Sequence, residues 1–515
     1  VPPDKNGDFA FLLHILKSLT STGKGAVILP HGVLFRGNAE ARIREKLIYQ
    51  GYIKGIIGLP ANLFYGTGIP ACIIVMDKEH ASARKGIFMV DASKGFIKDG
   101  NKNRLRSQDI HKIVDVFTRQ TELKRFSRMV SFSDIADNDF NLNIPRYIDA
   151  SEPEDLHDLS AHLSGGIPNA DIDALNVYWQ VFPTLQATLF KSARDGYSDS
   201  LVEPQLVKST ILEHPEFKAF AKKALAIFKQ WKQQTQLKDI AIGDKPKALI
   251  YRLSESLLTD YAKADLLSKY DIYQILMDYW EELMQDDVYV VTQDGWAAGK
   301  QLRELVAKKG EKLKETPDLI INKAKYKAEL IPPTLLVKRY FQSEQTALEQ
   351  LQTKLDTATQ TLESFIDEHS GEEGVLVDAQ TDAGKISKAS VAARLKLATD
   401  TDEIKVLNQC KHWIEAEAKA KKVVKDTQEK LDKQVFAKYP SLTEEDCRTL
   451  VVDDKWIALL EGNIQAEIER VTQQLANRVK TLEERYDAPL PQITEDVSVL
   501  SAKVDEHLKR MGLEW

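Results

Sequence analysis

The sequence predicts an α/β region followed by an all-α region. Three patterns lead to this prediction. Apolar runs alternate with amphipathic segments over the first hundred residues, apolar residues at helical spacing dominate the middle, and heptad repeats occur in the last third. These patterns divide the chain into three predicted domains, at residues 1–150, 151–335 and 336–515.

The first region begins with a predicted helix over residues 8–20. Asp8 is the expected N-cap, because its carboxylate can accept hydrogen bonds from free backbone N–H groups of the first turn. Apolar residues at three- and four-residue spacing predict one buried stripe on this helix. That stripe consists of Phe11, Leu12, Ile15, Leu16 and Leu19.

Strands are predicted at residues 25–29, 52–59, 70–76 and 86–91, with a helix at 38–50. The strand–helix alternation gives way to consecutive strands, which predicts a mostly parallel sheet with an antiparallel edge. Three or four strands without neighbours would expose an apolar edge. We therefore expect the sheet to be truncated, so that either its upstream strands are supplied by another piece or the fragment has rearranged.

The middle region, residues 150–335, is predicted to be mainly helical. Its aromatic stripe from Tyr270 to Met284 has helical spacing, and core packing explains it best. In the last region, Leu348, Leu355 and Leu362 repeat every seven residues, which predicts a long-helix coiled coil. A second stripe, from Ile464 to Leu482, predicts an antiparallel hairpin with the first.

Composition excludes several classes of protein. The 515 residues are 43% apolar and 29% charged, with a formal net charge of −7, which is typical of a globular protein and leaves room for a local basic face. Cys72, Cys410 and Cys447 are far apart, so neither a disulfide framework nor a zinc site is predicted, and a reducing, cytoplasmic setting is expected. No apolar run approaches the roughly 20 residues that span a bilayer.

Common catalytic motifs are missing from the sequence. There is no G-x-x-x-x-G-K-[ST], no H-E-x-x-H and no G-x-S-x-G. His14, His31, His80 and His111 do not have the spacing of metal ligands, so we interpret them as ordinary surface or packed residues and predict no metal site.

Several segments together resemble the modification subunit of type I restriction-modification systems, which is an adenine-specific DNA methyltransferase. The first 150 residues carry most of this resemblance, the middle supports it, and the tail is compatible but generic. The segments are Asp8–His14, residues 25–35, Glu40, Ile43–Arg44, residues 57–64, Thr67–Ile69, Leu142–Ile148 and Tyr270–Trp296.

The resemblance implies a function for the chain. It implies transfer of a methyl group from S-adenosylmethionine to N6 of an adenine flipped out of double-stranded DNA. It also implies that Phe64 stacks on the flipped base, and that Phe11 lines the adenine of the cofactor. The alternative for either ring is a place in the core.

The resemblance also bears on the basic segment 84–128, which carries twelve Lys or Arg against five Asp or Glu. Phosphate contacts and a merely solvated face both remain open interpretations of such a segment. The candidate DNA-binding residues are Lys98, Lys102, Arg104 and Arg106.

Two motifs of this family are not in the sequence: the Gly-rich turn that cradles the methyl donor, and the Asn-Pro-Pro-Phe that holds the target amine. We therefore expect the chain, which starts at Val1, to be N-terminally truncated and to hold the C-terminal part of a Rossmann-like methyltransferase sheet. Alone, it is expected neither to bind S-adenosylmethionine tightly nor to transfer a methyl group.

The partners implied by the resemblance are a sequence-specificity subunit, a restriction subunit, a second modification subunit and double-stranded DNA, with no membrane. Two alternatives remain. One is a non-catalytic helical scaffold or interaction protein. The other is a single-chain methyltransferase, but this would need a target-recognition domain with β structure, of which residues 150–515 give no sign.

Overall fold

The structure is a computed structural model that describes residues 2–3, 6–151, 156–307, 313–371, 374–381 and 384–512. The expectation about Val1 therefore concerns a position outside these residues. The chain forms two compact units, each built from separate segments. The first unit comprises Val1–Trp231, Arg252–Tyr279 and Gly462–Trp515, and the second comprises Lys232–Tyr251 and Trp280–Glu461. The three consecutive domains stay a prediction.

The described residues contain thirteen strands in four sheets. In chain order they are β1 (Lys24–Pro30), β2 (Ile53–Gly58), β3 (Ala71–Asp77), β4 (Gly86–Asp91), β5 (Ile97–Asp99), β6 (Lys102–Arg104), β7 (Ser127–Ser131), β8 (Ile167–Pro168), β9 (Phe190–Arg194), β10 (Tyr197–Ser200), β11 (Leu302–Glu304), β12 (Leu319–Ile321) and β13 (Ala324–Ala328).

Twenty α-helices lie in the same described ranges, together with short 3₁₀ and π turns. They are α1 (Asp8–Ser18), α2 (Asn38–Tyr49), α3 (Ser107–Arg119), α4 (Phe132–Asp137), α5 (Leu159–Ser164), α6 (Asn169–Asp173), α7 (Asn176–Trp179), α8 (Leu185–Leu189), α9 (Val207–Glu213), α10 (Pro215–Gln234), α11 (Pro246–Asp260), α12 (Lys269–Tyr279), α13 (Gln285–Asp294), α14 (Pro333–Tyr340), α15 (Gln342–His369), α16 (Lys388–Leu395), α17 (Thr401–Lys438), α18 (Glu444–Arg448), α19 (Ala458–Tyr486) and α20 (Leu490–Arg510). Among the described residues, no helix has both the length and the apolarity needed to cross a bilayer.

The main sheet of the first unit has the order β1-β3-β2-β4-β7, and only β2 and β4 pair in parallel. The prediction of a mostly parallel sheet is therefore wrong. The segment between β2 and β3 contains no helix, so the chain reverses and β3 pairs antiparallel with both β2 and β1. Because β1 and β2 both oppose β3, the strands β1, β2 and β4 run in the same direction.

Helices cover both faces of this sheet. Ile87 and Met89 of β4 belong to one apolar cluster, which also holds the buried residues of α1 and α2. Phe88 and Val90 point to the other face, into a cluster with Ile113 of α3. This alternation along a fully buried strand places the sheet between two helical layers.

Two details of α1 differ from the prediction. The buried residues are Phe9, Leu12 and Leu16, whereas Phe11 is 69% exposed. The buried stripe of this helix therefore includes Phe9 and not Phe11. The N-cap is Gly7, and Asp8 is the first helical residue. The Asp8 carboxylate cannot cap the helix because it accepts a hydrogen bond from the Arg36 guanidinium at 2.5 Å.

The middle of the chain is largely helical, as predicted, but it is not all-α. The strands β8, β9 and β10 form one three-stranded sheet, and β11, β12 and β13 form another. These strands are two to five residues long, and several, such as Tyr197–Ser200, are mostly polar. Strands this short and polar carry no hydrophobic alternation for a sequence pattern to show.

The predicted hairpin between the two apolar stripes is wrong. In the second unit α15 packs against α17, where Leu362 shares an apolar cluster with Leu407 and Cys410. Lys438, at the end of α17, lies over the ring of Tyr340, just before α15, so the two helices are antiparallel. The second stripe, Ile464 to Leu482, is buried within the part of α19 that belongs to the first unit.

Candidate functional site

Three strand ends meet at one edge of the main sheet. The strands β1, β2 and β4 run in the same direction and end at Pro30, Gly58 and Asp91. In open α/β sheets, ligands bind outside the carboxyl ends of parallel strands. Gly58 allows the chain to pack closely here, because a Cβ on this residue would lie 2.8 Å from Cδ1 of Ile144. We call this edge the carboxyl edge.

Arg44 holds the turn that follows β1. It is only 3% exposed, and its guanidinium donates hydrogen bonds to the backbone carbonyls of Val33 (3.2 Å), Arg36 (2.8 Å) and Phe140 (3.0 Å). One side chain thereby satisfies three backbone acceptors. Sequence analysis assigned Arg44 no role beyond its place in the resemblance. A charged residue between the apolar Ile43 and Leu47 of an amphipathic helix is the signal that could have found it.

His31 lies in the same turn, a 3₁₀ helix over His31–Leu34. Its Nε2 atom is buried and has no hydrogen-bond partner among the described residues. Burial lowers the pKa of His31, and the nearby Asp91 carboxylate opposes this effect. The histidine is therefore held neutral beside the ends of β2 and β4, in an environment that its sequence position alone did not indicate.

Phe64 lies in the loop after β2, and 36% of its surface is exposed, so the ring is not buried in the core. The hairpin β5–β6 holds this loop in place. Lys102 Nζ donates to the carbonyls of Phe64 (2.8 Å) and Thr67 (3.1 Å), and Asn103 Nδ2 donates to the carbonyl of Ala61 (2.6 Å). The stacking role of Phe64 stays a prediction.

Phe11, the candidate cofactor residue, is on the exposed side of α1. No described contact joins its ring to Phe64. Its role also stays a prediction, although the alternative of a core residue is wrong because the ring faces solvent.

The four predicted DNA-binding residues lie on or next to the β5–β6 hairpin. The register pairs Lys98 with Asn103 and Asp99 with Lys102, so Lys98 points to the opposite face from Lys102 and Arg104. Arg104 Nε lies 3.3 Å from the Asp99 carboxylate, and the Arg106 guanidinium is held by both oxygens of Asp109. The structure thus does not gather the four cations on one surface, and their contacts with DNA stay a prediction.

Metal ligation has no structural support in the part of the chain that is described. No group of three or more His, Cys, Asp or Glu side chains there could hold a metal ion. Cys72, Cys410 and Cys447 are free and buried, and burial raises the pKa of the Cys72 thiol to about 12.

Comparison with known proteins bears on the region that contains the carboxyl edge. The family model described as N-6 DNA Methylase matches residues 1–156. Residues 1–156 are therefore similar to this family. We refer to them as the methylase segment. The match includes β1, β2 and β4, whose ends form the carboxyl edge, and the loop that carries Phe64.

The curated relatives of the methylase segment are methylase subunits of type I restriction enzymes. The MpnII methylase subunit of Mycoplasma pneumoniae is 34% identical over 155 residues, which cover 30% of this chain and 28% of that protein. The MjaVII methylase subunit of Methanocaldococcus jannaschii is 34% identical over 166 residues, which cover 32% of this chain and 28% of that protein. The chain therefore spans less than a third of the length of these relatives.

A solved structure matches a similar share of the chain. The methyltransferase subunit of a type I restriction-modification system from Streptococcus thermophilus is 44% identical, over 29% of this chain and 31% of that one, with a TM-score of 0.27. The match is again partial on both sides. The resemblance of the methylase segment to type I modification subunits is confirmed by the sequence comparisons.

Proposed function

We propose that this chain is part of the modification subunit of a type I restriction-modification enzyme, which methylates N6 of adenine in double-stranded DNA with S-adenosylmethionine as methyl donor. The match of the methylase segment to the N-6 DNA methylase model, and its similarity to methylase subunits of type I restriction enzymes, support this proposal. The observation that carries it furthest is the carboxyl edge, where three strands of one direction end beside a loop that presents a half-exposed aromatic ring.

The chemistry requires the target adenine to leave the base stack, because its exocyclic amine is otherwise out of reach of a methyl donor. An aromatic side chain can hold the extruded base by stacking, which contributes about 1–3 kcal/mol. Phe64 suits this role because its ring is accessible while its backbone is fixed through Lys102. The rigid loop would hold the ring in position before the base arrives.

The residues of this chain do not by themselves fit S-adenosylmethionine. Phe11 offers one exposed aromatic face, and a carboxylate would be needed to bind the ribose hydroxyls. Asp8, on the same helix, is bound to Arg36 at 2.5 Å and is not free for that purpose. We therefore assign no step of the reaction to a cofactor held by these residues alone.

The absence of Asn-Pro-Pro-Phe from the 515 residues has a testable consequence. We expect the isolated chain to show no micromolar binding of S-adenosylmethionine in isothermal titration calorimetry, because the Gly-rich turn that cradles the methyl donor is also missing from the sequence. Binding at micromolar concentrations would contradict both the poor fit described above and the predicted inactivity of the isolated chain.

The stacking role predicts the result of replacing Phe64 in the complete modification enzyme that contains this chain. Phe64→Ala removes the ring and is expected to lower the rate of adenine methylation roughly 5- to 150-fold, the equivalent of about 1–3 kcal/mol. Phe64→Tyr keeps an aromatic face and is expected to retain most of the activity. Incorporation of a tritiated methyl group into duplex DNA measures both.

Tyr65→Ala is the matched control, because Tyr65 is the neighbouring aromatic residue and is 94% exposed. It is expected to leave the methylation rate unchanged. Equal rates for Phe64→Ala and Tyr65→Ala would refute the stacking role, and a complete enzyme that does not methylate adenine would refute the proposed function.

A second candidate function, a helical interaction module, is favoured by α20. None of its residues is buried, and its apolar residues recur at three- and four-residue spacing. They are Leu490, Ile493, Val497, Leu500 and Val504. The partners that we propose for the helical part, in the cytoplasm, are the specificity subunit, the restriction subunit and a second modification subunit.

A further inference from the structure

A cavity of about 540 Å³ lies within the first unit, beside the end of β4. Its walls come from five segments: the turn after β4, the first half of α3 with the residue before it, the turn before β7, residues 150–151 and the start of α12. We call it the Lys112 pocket. The residues that matter here are Lys94, Lys112, Lys124, Arg125, Phe126 and Tyr270.

Lys112 is the half-buried cation of this pocket. Its Nζ atom lies 4.2 Å from the centroid of the Phe126 ring and 6.0 Å from that of Tyr270. Burial lowers the pKa of Lys112, while Asp271 and Asp109 favour the charged form. An ammonium group between two aromatic rings is partly stripped of water, and an anion that enters the pocket would meet a strengthened charge.

Most carboxylates that line the pocket already have partners. Asp109 holds the guanidinium of Arg106, and Asp271 accepts a hydrogen bond from Arg470 at 3.1 Å. Asp91 accepts a hydrogen bond from the backbone N–H of Ser93 at 2.9 Å.

Four of the cations that line the pocket, in contrast, have no carboxylate partner in the described ranges. In the described ranges, none of Lys94, Lys112, Lys124 and Arg125 forms an ion pair or donates a side-chain hydrogen bond. The pocket therefore presents unpaired positive charge from three separate elements.

We propose that the Lys112 pocket binds a phosphate group of the DNA backbone. This inference rests on the proposed function and deepens it, because it places a DNA contact at residues outside the β5–β6 hairpin. Several cations that converge from different elements suit a phosphodiester, which is recognised through charge and not through sequence. The pocket lies at the end of β4, on the same sheet edge as the end of β2, from which the Phe64 loop departs.

The test measures binding of a duplex oligonucleotide to the full chain over a range of salt concentrations. Each phosphate contact contributes about 0.9 to the slope of log K against log salt concentration for B-form DNA. Because the pocket holds one phosphate, Lys112→Met, which keeps the apolar stem, and the double variant Lys124→Gln with Arg125→Gln are each expected to reduce the slope by up to about 0.9.

The matched control is Lys421→Gln with Lys422→Gln, two exposed lysines of α17 in the second unit, with the same change of charge. Its slope is expected to equal that of the wild-type chain. The double variant at Lys124 and Arg125 keeps the test valid if Lys112→Met fails to fold, because both of these side chains are exposed.

Three results would overturn the inference. In the first, both pocket variants have the same slope as the wild-type chain. In the second, the control variant loses as much slope as the pocket variants. In the third, the wild-type chain does not bind the duplex at low salt. Inorganic phosphate could instead raise the melting temperature of the wild type but not that of Lys112→Met, while the duplex slopes stay unchanged. That result would assign the pocket to free phosphate and would also overturn the inference. Methylation by the complete enzyme is measured separately, so these failures leave the proposed function standing.

Discussion

At the scale of single residues, the carboxyl edge depends on two side chains with opposite roles. Arg44 is buried because three backbone carbonyls surround its guanidinium. His31 is partly buried with an Nε2 atom that has no partner in the described residues, so the fold must keep it neutral. A buried donor or acceptor without a partner costs about 1–3 kcal/mol, which makes His31 a point of low stability at the edge.

The lowered pKa of His31 predicts a pH dependence of stability. Because burial lowers the pKa in the folded state, the unfolded chain binds more protons than the folded chain below the ordinary histidine pKa of about 6.5. Stability is therefore fully present above that value and is lost as the pH falls through the folded pKa. His31→Gln is expected to remove this loss, as measured by urea unfolding at several pH values between about 5 and 8.

The control for this prediction is His14→Gln. His14 is exposed on α1, and its replacement should leave the pH profile of the wild type unchanged. The same pH profile in His31→Gln and in the wild type would contradict the buried, neutral histidine.

At the scale of elements, the strands and helices of the methylase segment follow directly from the sequence, but their pairing does not. The strands β1 to β4 lie within two residues of their predicted positions, because short apolar runs bounded by polar, Gly or Pro residues are strong local signals. Whether β3 pairs parallel or antiparallel depends on the connection after β2, which contains no helix. The short, polar β9 and β10 have no such local signal.

The candidate site shows the same division between local and long-range information. The loop of Phe64 could be predicted, because it follows a strand and a Leu-Pro turn. Its support by Lys102, 38 positions away along the chain, could not, because only the folded hairpin brings the two together. The charge run at residues 84–128 was visible, but the sequence could not show that Arg106 is paired while Lys112 is free.

At the scale of the whole molecule, consecutive domains were predicted from changes in composition, whereas the compact units are built from alternating segments. Three of the four points where the chain passes from one unit to the other fall inside helices, namely α10, α11 and α19. A boundary inside a helix has no Gly-, Pro- or Ser-rich linker, so the signal on which domain prediction depends is missing there.

In the longest segment of the second unit, Trp280–Glu461, a buried carboxylate joins two elements that are far apart along the chain. Asp287 of α13 is 4% exposed and accepts hydrogen bonds from Lys455 Nζ and Trp456 Nε1, both at 2.7 Å. Burial raises the pKa of Asp287, and Lys455 opposes this shift. Asp287→Ala would leave the Trp456 indole N–H without its acceptor, and would leave the Lys455 ammonium without its counter-charge and with the Leu330 carbonyl as its remaining acceptor, at 3.0 Å.

Removing one partner of such a buried pair typically costs about 3–5 kcal/mol, so Asp287→Ala is expected to lower the free energy of unfolding of the second unit by that amount. Urea unfolding followed by circular dichroism measures the shift. Asp286→Ala, at the neighbouring exposed carboxylate, is expected to change the same free energy by less than about 0.5 kcal/mol. If both variants unfolded at the same urea concentration as the wild type, the contact of Asp287 with Lys455 and Trp456 would not stabilise this unit.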